Sequence, residues 1–346
     1  MMRQRTSRLI NALMVVVSLS AAFGVCELVF RRRYAHYFYA PRDEVAAIQS
    51  QLVLHPMLGF TWRGGIERSA GVVLKSQDVA FEPLSTDADG FLNHPEAIAQ
   101  RKRGEPIDVI GLGDSFIEHG CHAFYERFRE AGLFYYNMAI HRQSPPQYNL
   151  VLEQYAAPCK PAWIVYGLFE NDFVESEDFL NWRESGLDWF AYHSGTWCGP
   201  PVGGDAWKRF LRKHLRGTIA FTRVLKEKLD ASAPNVADAP LPKPDVVCRY
   251  IREAHDFAGV HAIQFLLVVI PSKATTLEGP TAESVRCDEL VEDLRETTIH
   301  VLDLRKLFSA AEKPDSLYYK VDGHWNTAGA VEAANAIIKH VRNRAD

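Results

Sequence analysis

The stretch Ile107-Asp108-Val109-Ile110-Gly111-Leu112-Gly113-Asp114-Ser115-Phe116 decides how this chain is read. Its first six residues form an apolar run of strand length, which breaks at Gly113 into a short turn ahead of a helical pattern. Four similar runs come after it. They are Leu133-Phe134-Tyr135-Tyr136-Asn137-Met138, Trp163-Ile164-Val165-Tyr166-Gly167-Leu168, residues 263–270 (IQFLLVVI) and Ile299-His300-Val301-Leu302-Asp303-Leu304. Runs this apolar fit strands covered on both faces, as in a parallel sheet. Helical stretches between them, such as 123–129 and 147–155, supply the crossovers, and a last helix is expected to begin near Thr327. The expected fold class is α/β: a three-layer α/β/α domain over 105–346 around a mostly parallel five-stranded sheet.

Composition narrows the classes of function. The 346 residues carry 39 Lys and Arg against 43 Asp and Glu, a formal charge of -4. Near-neutral balance argues against nucleic acid as a partner, because such binding rests on massed cations facing phosphates. Hydrophobic residues at 47% and charged residues at 24% are ordinary globular usage, which excludes a mainly disordered chain. The six cysteines are Cys26, Cys121, Cys159, Cys198, Cys248 and Cys287, with no CxxC spacing, so no structural zinc is expected. Five lie beyond the N-terminal apolar run. In an oxidising compartment that odd number leaves at least one thiol free; mostly buried, reduced cysteines are the competing reading.

Residues 9–30, LINALMVVVSLSAAFGVCELVF, form the one run long enough to span a membrane. As a helix, 22 residues cover roughly 33 Å. Arg3, Arg5 and Arg8 precede it and Arg31, Arg32 and Arg33 follow, so flanking charge discriminates weakly; the free amine favours the N-terminus inside. The favoured reading is a cytoplasmic tail over 1–8 and an uncleaved transmembrane signal anchor over 9–30. A cleaved signal, with Ala21-Ala22-Phe23-Gly24 as the candidate site, and a buried helix compete with it. Val25 ahead of Cys26 does not suit a lipoprotein signal, and Glu27 sits where it could reach the membrane interface.

Residues 31–104 read as a connector and a small β-rich lead-in. Between the third and fourth strands lies an insertion, 175–247, aromatic, then basic, then Pro- and Ala-rich over 231–244, where it reads as a linker. Residues 207–216 set Trp207, Phe210, Leu211 and Leu215 on one helical face with cations opposite; a surface helix packed on the domain is favoured over one lying on a membrane. Trp182, Trp189, Phe190, Tyr192 and Trp197 fit equally a sugar-binding wall or a small core of the insertion's own.

In an open parallel sheet, ligands bind at the carboxyl ends of the strands. The first strand runs into Gly113-Asp114-Ser115-Phe116, the second to Asn137 and the loop His141-Arg142-Gln143-Ser144, the third to Glu170-Asn171-Asp172. The segment after the fifth holds Asp322-Gly323-His324-Trp325-Asn326. Serine, amide, imidazole and carboxylate at one sheet edge are what acyl transfer requires: nucleophile, oxyanion donor, base and base-orienter. Taken alone, Ser115 would serve as a helix cap, Asn171 as a turn residue, and Asp322 with His324 as half a metal site. Asp114 reads as bonding local backbone. Glu118, His119 and His122 read as a polar helix face rather than metal ligands, and no metal or cofactor is expected.

The chain resembles the SGNH (GDSL-type) hydrolase superfamily. Gly113-Asp114-Ser115-Phe116 looks like its first block, Asn137-Met138-Ala139-Ile140 through Gln147 its second, Glu170-Asn171-Asp172 its third and Asp322-Gly323-His324 its last. The likeness covers 105–346 less the insertion. The lead-in pieces LHPMLGF and TDADGFLNHP look like those of membrane-anchored bacterial members, and DGHWNTAGA is similar to alginate O-acetyltransferase-type members. The resemblance implies a flavodoxin-like sheet, Ser115 as nucleophile, His324 as general base and Asp322 as its orienter. It also implies an oxyanion hole from the Asn171 amide and the Ser115 N–H. The family's third donor is a glycine N–H, and the matching position here is Arg142. Its N–H survives the substitution, but a loop needing positive φ disfavours arginine there, and the side chain could instead contact an anionic substrate.

The expected activity is that of a serine esterase or O-acyltransferase on O-acylated envelope carbohydrate. The expected location is the bacterial inner membrane, single-pass, with a periplasmic domain. A membrane-bound acyl-donor protein is a candidate partner. Lipid ester hydrolysis, of lysophospholipase or thioesterase type, is the alternative. An inactive glycan-binding or assembly subunit is a third reading.

Overall fold

The computed structural model describes residues 2–33, 50–67, 73–74, 79–80, 84–193, 218, 221, 244–320 and 322–344. The chain divides into two compact units, Met1–Ala40 with Pro201–Pro240, and Pro41–Pro200 with Leu241–Asp346.

In the first unit, helix α1 spans Met2–Arg33. Glu27 near its end accepts hydrogen bonds from the Thr218 backbone N–H and hydroxyl, both at 2.7 Å, and Phe30 stacks on Phe221 with ring centroids 4.3 Å apart. Among the described residues no helix is long and apolar enough to cross a membrane. The expected transmembrane segment over 9–30 falls partly outside that search, because the side chains of 1–13, 16 and 19 lie outside the described residues. Also outside them are Trp197 and Cys198, residues 207–216 and the linker over 231–243.

The second unit is built on five parallel strands: β7 (Val109–Leu112), β8 (Tyr135–Asn137), β9 (Trp163–Leu168), β10 (Gln264–Val269) and β11 (His300–Asp303), in the order β11-β10-β9-β7-β8. These are the five apolar runs of the sequence. Successive side chains of a strand point to opposite faces. Ile164, Tyr166 and Leu168 of β9 enter one core, and Trp163 and Val165 the other. Likewise Leu267 and Val269 of β10 enter the first core and Leu266 and Val268 the second. Both faces are dry, which is why the strands read as continuous apolar runs rather than alternating ones.

The second core is closed by α3 (Ser115–Glu130), α10 (Leu304–Ser309) and α11 (Thr327–Arg342), through side chains such as Phe124, Phe128, Phe308 and Ile337. The first is closed by α4 (Pro145–Val151), α7 (Pro244–Val260) and α9 (Ala282–Leu294), with Tyr148, Ile251 and Leu290. The architecture is thus the expected three-layer α/β/α. The stretch 147–155 is α4 followed by a π-helical turn at Leu152–Ala156.

The lead-in consists of short antiparallel hairpins: β1 (Leu52–His55) with β2 (Gly59–Trp62), β3 (Val73–Leu74) with β4 (Val79–Ala80), and β5 (Ser85–Thr86) with β6 (Leu92–Asn93). Helix α2 (Pro95–Lys102) comes after β6 and buries Ala97 in the first core. Phe60, Trp62 and Phe91 are buried there as well, so the lead-in is part of the domain's packing. Trp182 and, on the short helix α6 (Trp189–Tyr192), Trp189 join the same core. Phe190 and Tyr192 pack against it, which favours the core reading of those aromatics. The ring of Trp189 fills the space a Cβ on Gly59 would need. The five described cysteines are free thiols.

Candidate active site

The turn after β7 is shaped by close packing. A Cβ on Gly113 or Gly167 would come within 2.6 or 2.7 Å of Ile117, so both positions must be bare for α3 to approach the sheet. Asp114 caps α3: its carboxylate accepts the Phe116 N–H at 2.9 Å. Burial pushes its pKa up to about 6, against the pull of that N–H and of His324. This is the local structural role expected from the sequence. Ser115 is the first residue of α3, so its own N–H is not used by the helix.

His324 arrives on a turn closed by its own chain. Tyr318 and Trp325 form an isolated bridge, the Tyr319 N–H donates to the His324 carbonyl at 3.1 Å, and Asn326 caps α11 while donating to the Ser316 and Tyr318 carbonyls. The imidazole Nε2 lies 2.7 Å from Ser115 Oγ, and Nδ1 lies 2.5 Å from Asp322 Oδ1. Asp322 also accepts the His324 backbone N–H at 2.8 Å. Burial opposes ionisation of Asp322, yet the hydrogen bonds and charge of His324 hold its pKa below the usual carboxylate range. The ring packs on Phe116 at 4.7 Å and His119 at 4.5 Å between centroids. Burial, with His324 and His141 nearby, holds His119 well below the ordinary imidazole range, so it sits there uncharged.

Asn171 stands at the carboxyl end of β9, the neighbour of β7 in the sheet, as the residue preceding α5 (Asp172–Ser185). Asp172 behind it is fully buried; its carboxylate accepts the Phe169 N–H and the Tyr148 hydroxyl, and burial raises its pKa well above the ordinary value. The loop after β8 runs beside the Ser115 turn, with the Met138 N–H bonded to the Gly111 carbonyl and the Ile140 N–H to the Gly113 carbonyl. Arg142 in this loop has φ +57°, the left-handed region. The backbone conformation that suits a glycine is therefore kept with an arginine in place. The Arg142 guanidinium lies 3.9 Å from Glu175, whose pKa burial pushes up to about 8 while Arg142 opposes the rise.

The structure thus brings Ser115, His324 and Asp322 into one hydrogen-bonded chain, and sets Asn171 and Arg142 on the two strand ends flanking β7. Glu118, expected on a polar helix face, is buried instead. It accepts from the Trp62 indole at 3.1 Å and the His141 backbone N–H at 2.8 Å, with His141 Nδ1 3.0 Å from its other oxygen. A charged residue three positions after Ser115, on the face that α3 turns inward, is the sequence signal for this role. Asn93 of β6 bonds reciprocally to the backbone of Asn137, so the lead-in also braces this edge. Among the described residues no group of three or more His, Cys, Asp or Glu side chains could hold a metal ion.

The fold is α/β, and at the carboxyl edge of its sheet it holds a hydrogen-bonded serine, histidine and aspartate. Part of the chain is similar to SGNH-type hydrolases. Residues 248–346 match the family model described as the SGNH hydrolase-like domain of acetyltransferase AlgX. No curated protein is a detectable sequence relative. Among solved structures, a GDSL-like lipase from Bacteroides thetaiotaomicron is 13% identical, covering 71% of this chain and 97% of its own, with a TM-score of 0.43. A lipase/acylhydrolase from Enterococcus faecalis is 11% identical over 69% of this chain and 97% of its own, with a TM-score of 0.42. An acetylxylan esterase from Geobacillus stearothermophilus, solved as a catalytic mutant, is 10% identical over 68% and 94%, with a TM-score of 0.38.

Proposed function

We propose that this protein is a serine-dependent esterase or O-acetyltransferase acting on O-acylated carbohydrate of the cell envelope. The observation that carries the proposal is the chain of contacts from Ser115 Oγ to His324 Nε2 at 2.7 Å and from His324 Nδ1 to Asp322 at 2.5 Å. In this reading His324 takes the Ser115 proton as Oγ attacks the ester carbonyl, and Asp322 stabilises the imidazolium that forms. The oxyanion is held by the Ser115 N–H, the Asn171 amide and the Arg142 N–H. Each such donor is typically worth about 3–4 kcal/mol. His324 returns the proton to the departing alcohol, leaving acyl-Ser115. It then deprotonates water or a sugar hydroxyl, which attacks the acyl carbon and frees Ser115.

The match of 248–346 to a domain of an acetyltransferase supports acetyl as the acyl group. The likeness of DGHWNTAGA to alginate O-acetyltransferase-type members supports carbohydrate as its carrier. The apolar run over 9–30, read from sequence, supports a single-pass anchor in the bacterial inner membrane with the domain in the periplasm. A membrane-bound protein is then the proposed acyl donor for transfer.

The test is acetate release from p-nitrophenyl acetate and from acetylated polysaccharide, with S115A as control. Loss of both activities in S115A supports the reading; acetate release by S115A at the wild-type rate overturns it. A strong preference for long-chain over acetyl nitrophenyl esters would favour a lipid ester as substrate instead.

A further inference from the structure

Helix α8 (Lys273–Glu278) follows β10 at the same carboxyl edge of the sheet as Ser115, but the acyl-transfer steps do not call on it. Its side chains nevertheless reach both loops that those steps require. Lys273 Nζ donates to the Tyr319 carbonyl at 2.7 Å and to the Lys320 carbonyl at 2.8 Å, two residues ahead of Asp322. Thr276 Oγ1 lies 2.8 Å from the hydroxyl of Tyr318. On the other side, the Thr275 hydroxyl donates to Glu170 at 2.7 Å, and Glu170 is the residue before Asn171. One helical turn therefore clasps the loop of the carboxylate–imidazole pair and the turn of the amide.

We infer that Lys273 is a positioning residue of the acyl-transfer site: its ammonium fixes, through the 319 and 320 carbonyls, the turn from which Asp322 and His324 reach Ser115, while Thr275 holds the Asn171 turn through Glu170. The inference rests on the roles proposed for Ser115, His324 and Asp322. An ammonium suits the task because it is a compact charge with several donors and can serve two carbonyls at once. Such charge-assisted bonds are about twice as strong as neutral ones. Lys273 also faces Asp322 electrostatically, and its cation favours the ionised carboxylate. The titratable groups facing Asp322 are His324 on its own loop and Lys273 on α8.

The test compares the intact wild-type chain with K273M, K273R, T275V and S115A. The readouts are p-nitrophenyl acetate turnover, the rate of Ser115 labelling by a fluorophosphonate, and thermal unfolding. K273M keeps the aliphatic stem and removes the donors. It is expected to lower kcat and labelling about 10- to 100-fold, the loss typical of an ångström-scale misplacement, with KM within about twofold. The acid-side fall of kcat/KM should move to higher pH in K273M, because losing the cation beside the Asp322–His324 pair makes the pair easier to protonate. K273R, whose guanidinium can also span two carbonyls, should recover most of the loss. T275V should lower kcat less and leave the acid limb where it is.

Wild-type kcat and an unmoved acid limb in K273M, with S115A inactive, would overturn the inference. So would a loss that K273R does not restore and that follows thermal unfolding. S115A active at the wild-type rate would instead sink the proposed roles of the site residues themselves.

Discussion

Glu118 and His141 are 23 positions apart in sequence, yet the Glu118 carboxylate accepts the His141 backbone N–H at 2.8 Å and faces its ring Nδ1 at 3.0 Å. Glu118 lies one turn along α3 from Ser115, and His141 is the residue before Arg142. The contact therefore fixes the loop of Arg142 to the helix that begins at Ser115. The Trp62 indole binds the same carboxylate, so the lead-in is tied to this point as well. E118L removes the acceptor of three buried donors. Unpaired buried donors cost roughly 1–3 kcal/mol each. E118L should therefore be destabilised by several kcal/mol in urea unfolding and should label Ser115 more slowly under conditions where it stays folded.

Arg142 holds φ at +57°, a conformation that costs a residue with a Cβ about 1 kcal/mol relative to glycine. R142G should therefore unfold at a urea midpoint equal to or above that of the wild type, and R142A should not gain. Both retain the backbone N–H. If that group, and not the side chain, serves the reaction, kcat on p-nitrophenyl acetate should stay within about threefold in each variant. A rise in KM confined to anionic substrates would mark the guanidinium as a substrate contact.

Glu175 sits beside Arg142 with its pKa raised by burial from the usual 4.5 to about 8. An acid raised in this way is protonated in the folded protein and ionised in the unfolded chain across that interval. The unfolded state then binds fewer protons, so stability falls as pH rises from about 4.5 to about 8, by at most about 1.4 kcal/mol per pH unit. Below 4.5 both states are protonated and the effect vanishes. E175Q, neutral throughout, should show a flatter stability profile and be more stable than wild type at pH 8. The groups that bear on Glu175 are Arg142 from the loop, Asp114 from the β7 turn, Asp178 on its own helix and the hydrogen-bonding side chain of Asn171. Urea midpoints of both proteins at pH 5, 6.5 and 8 check this.

The sheet is legible in the sequence because its strands are buried on both sides, so that composition alone marks them; β9 has the limits expected of its apolar run, Trp163–Leu168. β7 begins later than the apolar run, at Val109, and Asp108 ahead of it accepts the Phe134 N–H on its carboxylate at 2.7 Å. Ser115 and Asn171 are legible because they follow strand ends, and His324 because it sits with Asp322 in a short polar turn just ahead of the last helix. Their supports are not. Trp62 meets Glu118 across 56 positions and Lys273 meets Tyr319 across 46, and no local pattern encodes a contact over such a separation. The role of the lead-in is hidden for the same reason: its hairpins are short, and their importance lies in what Trp62 and Asn93 touch.

The most direct measurement is mass spectrometry of the intact chain and its peptides after brief exposure to an acetyl ester. The account predicts an acetyl adduct on the peptide that carries Ser115, absent in S115A and formed far more slowly in H324A. Acetate release without any adduct at Ser115, continuing in S115A at the wild-type rate, would contradict it.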